Sequence, residues 1–185
     1  MPRMGDGSFD EMVMEAVAGH RAGWATSLAR TVMTAGTAPL VLGVCGLVAV
    51  IAVVLLRTYR PALAAAVSLV IATVAAAGLK HVFGRARPPA QLALVQVGGG
   101  SFPSTQGAET AALAAAVLVA SAWGTARTAR TAAAVLVSLV ALVGVCMIYL
   151  GAHWPTDVLA GWLLGALVGS AMGWLARRIR RPAVP

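Results

Sequence analysis

Charge is scarce in this chain: Asp, Glu, Lys and Arg make up only 11% of its 185 residues. Soluble domains carry roughly a quarter. A domain solvated on every side is therefore excluded. Acidic residues are scarcest, six against fourteen Lys and Arg, and there are three histidines. So few carboxylates and imidazoles, none clustered at ligand spacing, point to no metal site and no other cofactor. Only two cysteines are present, Cys45 and Cys146, both inside apolar runs. That argues against a disulfide framework and for two buried thiols. The first residues also lack a compact apolar run after basic ones, so no cleavable signal is expected.

What the chain has in excess is apolar length. Hydrophobic residues make up 59% of it and the mean hydropathy is +0.85. A hydrocarbon layer of ~30 Å takes about 20 such residues to cross. Four runs are long enough: Ala38–Leu56, Pro61–Leu79, Thr131–Leu150 and Pro155–Leu175. A fifth, Thr105–Trp123, is Ala-rich and carries Glu109. The expected fold is an all-α integral membrane protein with about five transmembrane helices. The helical membrane domain covers 36–176, after an N-terminal segment 1–35 and before a basic cytoplasmic tail 177–185. Within the N-terminal segment, Phe9, Met12, Val13, Ala16, Val17, Trp24, Leu28 and Val32 recur at spacings of three and four. That pattern predicts an amphipathic helix along the interface, with a sixth, poor span as the alternative.

The net charge of +8 is explained by topology. Arg57, Arg60, Arg127, Arg130, Arg177, Arg178, Arg180 and Arg181 all fall on one side of a five-span layout. The positive-inside rule makes that side cytoplasmic, so no nucleic-acid partner is needed. The chain is expected in the cell (inner) membrane. Loop 80–104 and turn 151–154 then share the extracytoplasmic face, and every polar group suited to chemistry collects there.

Lys80, Arg85 and Arg87 place three cations within eight residues beside the membrane. Arg grips phosphate oxygens bidentately; a snorkelling interfacial cluster is the bland alternative. Ser104 precedes the third run, where a helix N-terminus offers N–H groups and a favourable dipole to an anion. It would equally serve as a plain N-cap. In Gly151-Ala152-His153-Trp154-Pro155-Thr156-Asp157, Pro155 suits the first turn of a helix. Asp157 then reaches back to His153, fixing one tautomer and leaving the other nitrogen as base or nucleophile. Gly161, Gly165, Gly169 and Gly173 form a ribbon that lets another helix approach closely. A homo-oligomer through the same face is the alternative use.

In order and spacing these residues resemble the triple motif of the type 2 phosphatidic acid phosphatase superfamily. Its pattern is Lys-x6-Arg-Pro, then Pro-Ser-Gly-His, then Ser-Arg-x5-His-x3-Asp. Lys80, Arg87 and Pro88 match the first part, Pro103 and Ser104 the second, His153 and Asp157 the third. The resemblance implies that lysine, arginines and serine bind phosphate, that His153 attacks phosphorus and that Asp157 orients it. Two departures stand out. Thr105-Gln106 replaces Gly-His, removing the acid that protonates the leaving group. Cys146-Met147 replaces Ser-Arg, removing one guanidinium. A general acid typically contributes roughly 10²–10⁴-fold in rate.

The expected catalytic set is therefore His153 and Asp157, with Glu109 as a substitute acid or as an ion-pair partner of Lys80 or Arg85. The expected phosphate-binding set is Lys80, Arg85, Arg87, Ser104, Thr105 and Gln106. A lipid phosphate leaves without protonation and a lipid alkoxide does not. The resemblance therefore implies a divergent phosphohydrolase acting on a lipid or prenyl diphosphate, with weak monophosphatase activity. Two alternatives remain: an inactive protein that binds or translocates lipid phosphates, and a prenyltransferase or terpene cyclase that ionises a prenyl diphosphate.

Overall fold

The computed structural model describes residues 8–37 and 59–179. The expected span Ala38–Leu56 lies outside them. Six helices run through the described residues: α1 (Phe9–Gly19), α2 (Gly23–Thr37), α3 (Tyr59–Phe83), α4 (Thr105–Ala120), α5 (Ala126–Tyr149) and α6 (Pro155–Arg178). The all-α expectation holds. α3, α5 and α6 are each 24 or 25 residues long and apolar enough to cross a membrane.

α4 differs from the expected span Thr105–Trp123. It has 16 residues, about 24 Å at 1.5 Å each. The reason is its place at the centre, between α3 and α6, where seven of its residues are buried, six of them alanine. A helix wrapped in protein need not match the bilayer thickness. Small side chains let its neighbours come close, and α6 comes closest. A Cβ at Gly165 would stand 2.1 Å from the Ala108 carbonyl oxygen, and one at Gly169 2.2 Å from that of Ala112. The glycine ribbon is thus filled by α4 within one chain. It is not available to a second copy, which overturns the homo-oligomer reading of that face.

The single interfacial helix expected near the N-terminus is two helices. A capping box starts α1, with Ser8 and Glu11 exchanging backbone and side-chain bonds. The chain turns after Gly19, and a tertiary lock holds the corner. Arg21 donates to the Tyr149 and Leu92 carbonyls at 2.9 Å and 2.6 Å, and the Ala22 N–H donates to the Tyr149 hydroxyl. Phe9, Met12 and Trp24 stay exposed, whereas Asp10 and Met14 are buried. At 11 residues α1 is too short to cross a bilayer.

The end of α3, the start of α4, the end of α5 and the start of α6 meet on one face. Several bonds join them there: Ser104 N–H donates to the Asp157 carbonyl at 2.9 Å, and Leu94 N–H to that of Leu150 at 2.8 Å.

Candidate active site

Gly84 ends α3 in the left-handed region, φ 53°, where its N–H donates back to the Lys80 carbonyl. The chain then runs through Arg85 and Arg87 and returns beside itself, since Ser101 donates from both its N–H and its hydroxyl to the Arg85 carbonyl. This doubling brings the glycine run against the cations. Lys80 Nζ donates to the Gly100 carbonyl at 3.0 Å and to that of Ser101 at 3.3 Å. Arg87 donates to the carbonyls of Gly98, Gly99 and Gly100.

His153 lies in the turn before α6, only 6% exposed. Its Nε2 faces Arg87 Nη1 at 3.2 Å, and the same guanidinium nitrogen donates to the Ala152 carbonyl at 2.6 Å. Its Nδ1 faces Asp157 Oδ2 at 3.5 Å. The donor at Nε2 selects the tautomer protonated at Nδ1, and the Asp157 carboxylate favours it by its charge, although Nδ1 makes no hydrogen bond. The Nε2 lone pair is then the reactive one. Burial, reinforced by the Arg87 and Lys80 charges against the pull of Asp157, holds the imidazole pKa below its ordinary 6.5. That favours the neutral ring.

Asp157 is fully buried. Its Oδ2 accepts the Trp154 N–H at 2.9 Å, and its Oδ1 forms an ion pair with Arg85 at 2.6 Å. Arg85 carries a second carboxylate, Asp10 of α1, at 2.6 Å on its other terminal nitrogen. Expected as a phosphate ligand, Arg85 has both terminal nitrogens paired with carboxylates, Asp157 and Asp10.

Ser104 is the N-cap of α4, fully buried, accepting the Gly107 N–H at 3.2 Å. Its hydroxyl points at the Met147 sulfur, 3.5 Å away. Met147 therefore fills, with an apolar side chain, the space beside the serine where the motif has arginine. Thr105 and Gln106 form the first turn of α4 and are half-buried. The expected ion pair of Glu109 with Lys80 or Arg85 does not form. Glu109 accepts a hydrogen bond from the Thr73 hydroxyl at 2.7 Å. Thr73 lies two turns along α3 from Lys80, about 10 Å.

Lys80, Arg87, His153 and Asp157 thus come together, with Ser104 joined to Asp157 through the backbone. A recess of about 220 Å³ opens beside them, lined by Arg87, Pro88, Ala93, Gln96, Gly151 and Ala152. Sequence reasoning missed Asp10, whose partner Thr156 is 146 residues away; no local pattern signals such a contact.

The sequence model of the PAP2 superfamily matches residues 61–181, which hold every one of these motif residues. The chain belongs to the PAP2 superfamily. The fold agrees with two solved PAP2-like structures. The transmembrane PAP2-type phosphatidylglycerolphosphate phosphatase from Bacillus subtilis superposes with a TM-score of 0.80 at 24% identity, over 93% of this chain and 86% of that one. LpxE from Aquifex aeolicus gives 0.71 at 20% identity, over 91% and 97%. An undecaprenyl-diphosphatase from Sulfolobus acidocaldarius is 56% identical over 27 residues, 15% of this chain and 13% of that protein's length. The chain is thus a membrane-embedded member of the PAP2 superfamily.

Proposed function

We propose that this protein is a phosphohydrolase acting on a lipid or isoprenoid diphosphate. What carries the reading is His153, held between the Asp157 carboxylate on Nδ1 and the Arg87 guanidinium on Nε2. Nε2 attacks the terminal phosphorus. The bond to the bridging oxygen breaks, its electron pair leaving with the lipid monophosphate. Water then attacks the phosphohistidine, releasing inorganic phosphate and restoring the imidazole. Lys80, Arg87 and the N-terminal turn of α4 stabilise the charge on the equatorial oxygens.

Gln106 has no proton to give as an acid, and Glu109 is engaged with Thr73. The leaving group must therefore leave unprotonated, as a phosphate does and an alkoxide does not. Phosphate release from undecaprenyl diphosphate should exceed release from phosphatidic acid by roughly the 10²–10⁴-fold that a general acid supplies. Equal turnover of the two substrates would refute the selectivity.

One observation favours a second reading, a binding protein without turnover. Arg87 Nε, Nη1 and Nη2 and two of the three Lys80 donors are directed at protein acceptors, chiefly carbonyls of the Gly98–Ser101 run. Binding of lipid phosphate with no phosphate released from any substrate would select it.

We assign the site to the extracytoplasmic face of the cell membrane. Support comes from the exposed Arg127, Arg177 and Arg178 at the opposite helix ends. A cysteine introduced at Gln96 should react with an impermeant reagent from outside, and one at Thr125 should not; equal labelling contradicts the orientation.

A further inference from the structure

We infer that Asp10 and Arg85 are positioning residues of this site: α1 delivers a carboxylate that holds Arg85 on Asp157, and Asp157, facing Nδ1 while Arg87 meets Nε2, helps set the tautomer of His153. The inference rests on the proposed role of His153.

Asp10 is only 5% exposed, although α1 lies at the edge of the helix assembly. Each of its contacts is directed at the start of α6 or at the residue that braces it. Oδ1 accepts the Thr156 N–H at 3.0 Å. Oδ2 accepts the Thr156 hydroxyl and pairs with Arg85. Asp10 thus satisfies an orphan donor in the first turn of α6 from another helix. The Thr156 hydroxyl also meets Arg85 Nη1, at 2.7 Å. Asp10, Thr156, Arg85 and Asp157 therefore form one closed network.

Arg85 is its keystone. The guanidinium lies 5.6 Å from the centre of the Trp154 ring, and the Trp154 indole N–H donates to the Ala86 carbonyl at 2.8 Å. Removing that cation would strip the buried Asp157 of the guanidinium paired with its Oδ1. Asp157 Oδ1 would then lose its partner, and the carboxylate could rotate away from the geometry in which Oδ2 faces His153. At 3.5 Å the His153–Asp157 contact is already loose, so it has no margin. The other end of α1 is fixed by Arg21 on Tyr149 and Leu92, which leaves Asp10 little freedom to withdraw. Burial opposes ionisation of Asp10, but the Thr156 and Arg85 contacts outweigh it and hold the carboxyl below its usual range, so the network stays charged at neutral pH.

The test is ¹⁵N NMR of histidine-labelled full-length protein in lipid nanodiscs. Assignment is tractable because the chain has three histidines. In the wild type His153 should be protonated at Nδ1 only. In Asp10→Asn and in Arg85→Gln it should become a mixture of both tautomers. With undecaprenyl diphosphate, kcat should fall about 10–100-fold, the range typical of outer partners that orient a reactive group. KM and inhibition by vanadate should change less than about twofold. Glu15→Gln, on the exposed side of α1, should change nothing.

An unchanged tautomer and kcat in Asp10→Asn would overturn the inference. So would lowered thermal stability with the tautomer intact, which would make the network mere docking of α1. Asp10→Asn is isosteric and keeps an oxygen for the Thr156 N–H. Should Arg85→Gln not fold, Asp10→Asn and Thr156→Ala carry the test. A wild type that hydrolyses no lipid phosphate would sink the functional reading, yet the tautomer measurement would still decide this one.

Discussion

Gly165→Ala is the most quantitative perturbation the helix packing offers. The new Cβ would stand 2.1 Å from the Ala108 carbonyl oxygen and 2.8 Å from the Ala112 nitrogen, where ordinary contact begins near 3.4 Å. Both obstacles are backbone, so neither can turn aside. α6 must move off α4 by about 1 Å. Overpacking of this kind costs about 1–3 kcal/mol. At about 2–4 °C per kcal/mol for a chain of this size, the thermal midpoint in detergent should fall by roughly 2–12 °C. Gly161→Ala is nearer the site, its Cβ 2.5 Å from the Ser104 carbonyl. Opening the helices there stretches the 2.9 Å Ser104–Asp157 backbone bond. A misplacement of 1 Å can cost 10²-fold in rate. Gly161→Ala should therefore lose more activity than Gly173→Ala, whose tightest contacts are 2.9 Å. Midpoints measured by a thermofluor assay, with phosphate release measured in parallel, check both parts. An unchanged midpoint for Gly165→Ala would refute the packing argument.

Further expectations follow from the site itself. Arg87→Ala should weaken vanadate binding by about 1.5–3 kcal/mol, the worth of a hydrogen bond to a charged group, as read by calorimetry. Arg127→Ala, exposed at the opposite helix end, should not; similar losses would mean the pocket is misplaced. The triple change Thr105→Gly, Gln106→His, Met147→Arg should raise release of phosphate from phosphatidic acid. The gain requires the guanidinium to fit beside Ser104, where Met147 is fully buried, and His153→Ala on that background should remove it. Attack needs neutral imidazole, and burial together with the Arg87 and Lys80 charges lowers the His153 pKa despite Asp157. The acid limb of kcat/KM should therefore lie below pH 6.5, and a limb above 6.5 would contradict the environment described.

Much of the α4–α6 core was legible because its cues are local. Ser104 before an apolar run and Pro155 in a first turn mark where α4 and α6 begin. Glycines every four residues mark the face where two backbones touch, although the ribbon alone did not say that α4 of the same chain fills it. Less legible was which partner each polar group would choose. A cation beside a phosphate site and a cation beside a buried carboxylate look alike in sequence, so Arg85 read as a ligand. Glu109 read as its partner for the same reason, whereas Thr73 on the neighbouring helix stands nearer. The break after Gly19 depends on Tyr149, more than a hundred residues on, and so escapes any helical period.

The account turns on His153 as the nucleophile of a lipid-diphosphate phosphohydrolase. Its most direct test is trapping by an alkaline detergent quench with undecaprenyl diphosphate labelled at the terminal phosphorus, followed by peptide mapping at alkaline pH. The account predicts an acid-labile, base-stable label on His153, absent in His153→Ala and accumulating in step with release of the lipid monophosphate. Turnover of the same substrate that survives in His153→Ala would contradict it.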